Sequence, residues 1–429
     1  MDKYLKTHTS IKQRFRSSIR RGTGEAYLLM QQYPNINFSK EIINASLSNY
    51  AYDGQCEGSR APYLFRLAEF SKQRNIIRQV ILESLAKEKE DIWSLLQLYD
   101  FALHYAKKGD KEAYHTIYDT FCYNINNYSC WTGGTEIIEL DGLKGMLFIA
   151  DKVGYYLMKH PDESEDDFLL SHCQELYPEL DVYKELEIEA QKNPNICYYI
   201  NNVKETRARW DEENKNRKTY TTIIEEIEEK PFVYLKNRSL NTQEILQIAD
   251  RFLEEKDKLV KARFLSAFKY VKYPYDYKPL LMLAQQKNNK YRLQEYAIAA
   301  LRNIRADEIR EFALEKIVSS KDPAIYVNIL QSNYREGDEV LLTSIVEKFK
   351  NEHIIESLVS SYINVYQMNK TKGCQKPLET LYYKSNCGIC RHSMIDILIE
   401  NNVLSDILND EIQYDSYEDT RELYESERK

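Results

Sequence analysis

The sequence predicts an all-α fold, an α-α superhelix (solenoid) of stacked helical hairpins, and three observations predict it. Apolar residues recur at helical spacing in paired blocks along residues 241–401. Each pair of blocks spans roughly 30 to 40 residues, too little chain to bury its own apolar face, so neighbouring pairs must stack. Glycine and proline are scarce, 13 and 10 in 429 residues, which leaves little material for the turns of a β-rich chain.

Taken in order, the first helix is expected over residues 10–21, ended by Gly22-Thr23-Gly24, and the second over 25–32, stopped by Pro34. Ser39 is the expected N-cap of a helix over 38–49 with Ile42 and Ile43 facing inward. Residues 49–63 then read as a loop that holds Gly54, Gly58, Asp53, Glu57 and Arg60, closed by Pro62 at the start of the next helix. Helices follow at 62–71, 76–87, 92–107 and 111–123. A second glycine-rich loop, residues 126–145, carries Trp131, Glu136, Glu139, Asp141 and Lys144 and leads into a helix over 143–158.

The acidic run 161–167 marks a boundary, followed by helices at 168–177 and 182–191. Residues 203–229 read as one long charged helix with Trp210 and Tyr220 as isolated anchors. Three regions result: an N-terminal helical repeat domain over 1–160, a helical connector over 161–235, and C-terminal repeats over 236–429 that end in an acidic tail. The first C-terminal hairpin pairs Ile245, Ile248, Ala249 and Phe252 with Leu259, Ala262, Phe264, Leu265 and Phe268. Further pairs fall at 279–286 with 291–304, 307–319 with 323–330, 339–350 with 354–368, and 377–384 with 390–404.

Within these hairpins the stretch YRLQEYAIAALRNIRADEIREFALEKI, residues 291–317, resembles a HEAT (armadillo-type) repeat. Small Ala297, Ala299 and Ala300 stand where two helices approach, before a short Arg-Ala-Asp turn. The resemblance runs mainly over 242–419. It implies a superhelix of HEAT-like hairpins, and it speaks for fold more than for function, because such repeats are defined by packing. The function expected from it is a non-enzymatic scaffold that binds another protein or a peptide, with no cofactor. The alternative is a DNA-binding protein of the HEAT-like alkylpurine DNA glycosylase type, which cradles duplex DNA on a basic surface. That reading draws on a local basic stripe of Arg14, Arg16, Arg20, Arg21, Lys261, Arg263, Arg292, Arg302 and Arg305. No motif of that family aligns with particular positions, so no catalytic residue is carried over.

The formal net charge of −8 weighs against non-specific phosphate binding. Its distribution is uneven. Lys3, Lys6, Lys12, Arg14, Arg16, Arg20 and Arg21 stand near the start against Asp2 alone, whereas acidic residues dominate from Asp406 onward. Either the ends make head-to-tail contact, or the basic end admits an acidic ligand, or both are solvated caps. No apolar run approaches bilayer length and no apolar signal core follows the first basic residues, so a soluble, cytoplasmic protein without membrane association is expected.

The candidate binding site joins the two glycine-rich loops: Asp53, Glu57 and Arg60 from one, Trp131, Glu136, Glu139, Asp141 and Lys144 from the other. Gly22, Gly24, Gly54, Gly58, Gly133, Gly134, Gly142 and Gly145 concentrate in the N-terminal region, and polar residues on such loops are where ligands bind. On that reading Arg60→Ala and Glu139→Ala weaken capture and leave the melting temperature alone. The alternative is that these residues only cap helices and pair locally. Cys387-Gly-Ile-Cys390, with Arg391, His392 and Cys374, is a weak metal or redox candidate if the helix start lowers its thiol pKa; otherwise the two thiols simply pack. His104 reads as an interior or boundary residue. No phosphate loop, dinucleotide-binding pattern or nucleophile elbow is present.

Overall fold

The computed structural model describes residues 10–87, 91–128, 131–236, 238–286 and 290–426. Asp2, Lys3, Lys6, Glu427, Arg428 and Lys429 lie outside them. The described chain is all-helical, with no strand among the described residues. It forms two compact units. One comprises the chain up to Arg217 together with Glu411–Arg421, and the other comprises Lys218–Asp410 with the residues from Glu422 on.

In the first unit, Ser10 opens helix Ile11–Arg21 with a reciprocal cap: its hydroxyl accepts from the Gln13 N–H while the Gln13 side chain accepts from the Ser10 N–H. The expected Ser39 cap does not form, and Phe38 stands at the N-cap without a side-chain cap. Asn37 Oδ1 accepts the Ser39 N–H at 2.9 Å, because Ser39 is already inside helix Ser39–Ser46. Helices pack on their chain neighbours and on the next but one. Ala61–Phe70 and Arg74–Leu85 both rest on Ile92–Lys107, and Leu143–Lys159 packs along Pro194–Lys215. One apolar cluster runs from Phe15 to Val203.

The long helix expected over 203–229 is two helices. Pro194–Lys215 starts at an Asn193 cap and buries Ile196, Tyr199, Ile200, Val203 and Thr206; Ile223–Glu229 starts afresh at Thr222, whose hydroxyl accepts the Glu225 N–H. A side-chain cap competes with helix continuation there, which charge patterning does not reveal.

The acidic tail is also more than a solvated end. Glu411–Arg421 returns to the first unit, where Ser416 N–H donates to the Gly22 carbonyl at 2.7 Å and Tyr414 stacks on Tyr27 at 4.4 Å. Arg14 pairs with Glu25, Arg16 faces Glu41, and Arg20 lies over the Tyr50 ring. Close backbone approach at Gly24 is what admits the segment.

In the second unit, helices from Thr242–Glu254 to Gly388–Glu400 again pack on near neighbours along the chain. Its buried charges are compensated inside it. Arg310 makes two 2.7 Å bonds to Asp338, and Glu356 accepts from Ser385 and Asn386. Arg391 is fully buried and donates to the Ser385 carbonyl.

A Cβ on Gly24 would stand 2.0 Å from the Glu411 carbonyl oxygen. Gly24→Ala is therefore expected to lift Glu411–Arg421 and lower stability by about 1–3 kcal/mol. Limited proteolysis checks it: faster cutting between residues 411 and 421 is the expected result, and an unchanged digestion pattern refutes it.

Candidate functional site

The second expected loop, 126–145, is mostly helical: Lys111–Tyr128 runs into its start, Gly134–Asp141 carries Glu136, Glu139 and Asp141, and Lys144 lies in Leu143–Lys159, leaving Trp131 in the turn before Gly134. This segment and the first loop both reach helix Ile92–Lys107, but most of their polar residues are bound locally. Asp53 caps the short turn Gly54–Glu57, with its carboxylate held below the usual range by bonds from Cys56 and Gln55. Arg60 and Glu57 form a buried ion pair at 2.7 Å, and the guanidinium also donates to the Arg20 carbonyl at 2.6 Å. Glu139 pairs with Lys107 on the surface, Asp141 accepts the hydroxyls of Tyr114 and Tyr118, and Lys144 is exposed.

Where the loops converge is Asp100. Its carboxylate accepts from Ser59 of the first loop and feels the charge of Glu139 of the second; burial raises its pKa, against the opposing pull of His104. Burial lowers the pKa of His104, whose Nε2 lies 3.7 Å from Asp100 Oδ1, and Phe65 stacks on the imidazole at 5.0 Å. The Ser59 hydroxyl serves the carboxylate, so this cluster has the geometry of a packed polar joint.

Of the eight residues singled out, Trp131 lines a cleft. The cleft encloses about 510 Å³ within the first unit, between the Trp131-Thr132-Gly133-Gly134 turn, residues 164–169 and the end of helix Pro194–Lys215. Its walls are Trp131, Phe168 and Trp210, the last two 61 % and 47 % exposed. Gly133 makes the turn possible: its φ is +101°, and a Cβ there would meet the Tyr99 ring at 2.4 Å.

Glu165 is the centre of this cleft. The side chain is 4 % exposed, its backbone N–H donates to Asn202 at 2.8 Å, and the Trp131 indole donates to its carboxyl. Burial, with the nearby Asp166 charge, pushes its pKa up to about 8. Beside the cleft, burial also raises Glu136 to about 7, despite its bond from Thr135. Two carboxylates and three aromatic rings line the cleft, with no Lys or Arg among the described lining residues. This is the environment a desolvated cation with an apolar stem requires. Glu165 lies in the run 161–167 that reads in sequence as an acidic boundary, and Phe168 opens the helix expected after it; of the cleft, sequence reading singled out Trp131 as a site residue and Trp210 only as an anchor on a charged helix.

The other sequence candidates have internal roles. Cys387 Sγ accepts the Cys390 N–H at 3.3 Å, and the Cys390 thiol is pushed far up by its bond to Cys387 and by burial, the opposite of an activated thiolate. No group of three or more metal-binding side chains occurs among the described residues. Of the basic stripe, Arg263 donates to the Glu228 carbonyl and Arg302 to that of Lys269; Arg292 pairs with Glu295.

Burial reassigns Arg60. Removing one partner of a buried pair costs about 3–5 kcal/mol, whereas an exposed pair is worth about 0–1 kcal/mol. Arg60→Ala should therefore lower the melting temperature steeply and Glu139→Ala hardly at all; equal small shifts in thermal melts would contradict the buried pairing. A second test is pH. A carboxyl whose folded pKa lies above its unfolded value stabilises fully below about pH 4.5 and loses that contribution as pH rises towards 8. Glu165→Gln should thus gain stability relative to the parent chain between pH 5 and 9, read from melts across that range. Parallel curves would show that Glu165 is already ionised at neutral pH.

Comparison of the chain with protein-family models, with curated proteins and with solved structures finds no match.

Proposed function

We propose that this chain is a non-enzymatic protein-interaction scaffold, its helices stacked as a HEAT-like solenoid, which holds a partner polypeptide by a basic side chain inserted in the Trp131–Glu165 cleft. The near-neighbour packing of successive helices supports the solenoid, since each hairpin completes its core on the next. The observation that carries the binding role is Glu165, a carboxyl almost wholly buried in an aromatic cleft with an indole N–H, not a cation, on it. A Lys or Arg of the partner supplies the missing charge. Its methylene stem lies against Trp131, Phe168 and Trp210, and its head group displaces the proton from Glu165.

The test uses the full chain and short Gly-Ser peptides with a central Lys, Arg, norleucine or Glu, followed by the fluorescence of the two cleft tryptophans. Lys and Arg peptides should bind; norleucine and Glu peptides should be at least about tenfold weaker, as should the Lys and Arg peptides against Glu165→Gln or Trp210→Ala. Affinity for the Arg peptide should rise from pH 6 to pH 9 in the parent chain and stay flat in Glu165→Gln. Equal binding of the norleucine or Glu peptide would overturn the reading.

A further inference from the structure

A second cleft in the first unit has the opposite character. It encloses about 400 Å³ beside helices Glu25–Gln32 and Ala61–Phe70 and the returning segment, and Tyr27, Tyr63, Phe65, Phe70 and Tyr414 give it an aromatic wall. Tyr27 is the hub of that wall, stacked on Tyr414 at 4.4 Å and tilted against Phe70 at 5.3 Å. Phe70 is 47 % exposed, so a flat face is left open to a ligand.

The wall is edged by guanidinium groups that the fold leaves undercompensated. Arg66 lines the cleft and makes no hydrogen bond or ion pair among the described residues. Arg421, from the returning segment, is close enough to repel it, and together with burial that repulsion lowers the Arg66 pKa. Arg421 itself donates to the carbonyls of Asp415 and Ser416, and its nearest carboxylate, Glu418, is 3.9 Å away and mostly exposed. Lys108 adds a third cation at the rim, but Glu69 occupies it at 2.7 Å. The Glu418 charge offsets part of that repulsion, and Glu69 of the lining is taken up by Lys108, so Arg66 faces the cleft without a direct carboxylate partner among the described residues and an arriving anion gains from it. Arginine is also the side chain suited to gripping phosphate oxygens in pairs.

We propose that this cleft binds a mononucleotide, its base against Tyr27 and Phe70 and its phosphate on Arg66 with support from Arg421. Both halves of that ligand match what the cleft offers. Base stacking on aromatic side chains tolerates any base, and the volume falls in the range of small-molecule pockets, about 300–1,000 Å³. The site is complete only while Glu411–Arg421 is docked, because that segment supplies Tyr414 to the lining and sets Arg421 near Arg66. Nucleotide binding therefore also holds the segment in place.

The experiment is isothermal titration of the full chain with AMP, ADP, adenosine, inorganic phosphate and phenyl phosphate. AMP or ADP should bind at least about tenfold more tightly than adenosine or inorganic phosphate. Arg66→Gln should weaken the nucleotide about tenfold or more and leave the melting temperature unchanged, since Arg66 bonds to nothing in the fold. Phe70→Ala should weaken AMP more than inorganic phosphate, and saturating AMP should slow proteolysis within residues 411–421. Nucleotide binding undetectable at millimolar concentration overturns the proposal, as does binding unmoved by Arg66→Gln. Tighter binding of phenyl phosphate than of AMP would assign the cleft to phosphotyrosine and refute the nucleotide.

Discussion

Burying charge without a counter-charge is the most expensive thing this chain can do, and its architecture follows from where that expense is met. Arg60 is enclosed with Glu57 and the Arg20 carbonyl, Arg310 with Asp338, and Glu356 with Ser385 and Asn386. Each of these groups ties a loop or helix end to a distant part of its own unit. Glu165 and Arg66 stand outside that pattern: Glu165 is buried with an indole N–H instead of a cation, and Arg66, an exposed residue, has no direct ion pair among the described residues, only the more distant charge of Glu418. Both line clefts walled by aromatic rings. Charge left over in such a place is a specification for a ligand, and the sign of the charge states which kind.

The two clefts share one unit but select opposite ligands, and the selection is electrostatic before it is steric. An ammonium or guanidinium finds carboxylates and π-faces at Glu165, Asp166, Trp131 and Trp210, whereas the same group at Arg66 meets like charge. A phosphate meets the reverse. The burial of Glu165 strengthens the first preference, because water that would screen it is excluded there, whereas Arg66 is exposed and more screened. A chain with a net charge of −8 can therefore hold a local cationic site without attracting polyanions in general.

The helical class was legible in the sequence because helix formation leaves a periodic record: Ile248, Ala249 and Phe252, expected inward, are buried, and so are Ala262, Phe264, Leu265 and Phe268, whereas Ile245 is only half-buried and Leu259 is exposed, each in the first turns of its helix. Helix starts were legible where the cap is the obvious residue, and not where Asn37 reaches two residues ahead or Thr222 restarts a charged segment. The candidate site was readable only in part, for a physical reason. Loop carboxylates close to a partner in sequence satisfy themselves first, as Asp53 and Glu57 do with Cys56 and Arg60. The unsatisfied one, Glu165, is recognised by what is missing around it, and absence of a partner is a property of packing. The return of Glu411–Arg421 to Gly24 and Tyr27 is likewise a long-range event without a local signature.

Recognition by few residues requires that they be held still. Asn202 fixes the backbone of Glu165, and the Gly133 turn is wedged against the buried Tyr99 ring, so Trp131 presents its indole N–H from a frame that a ligand need not organise. The entropy of assembling that half of the cleft is therefore met during folding, which leaves more of the contact energy for affinity. The Arg66 cleft is built the other way. Part of its wall belongs to a segment that returns from the C-terminal end, with a backbone bond to Gly22, a ring stack on Tyr27 and a close approach at Gly24 among its contacts, so the cleft is complete only while that segment is docked. A ligand there binds the docked form and draws the segment down with it, coupling occupancy of the cleft to the order of the C-terminal region.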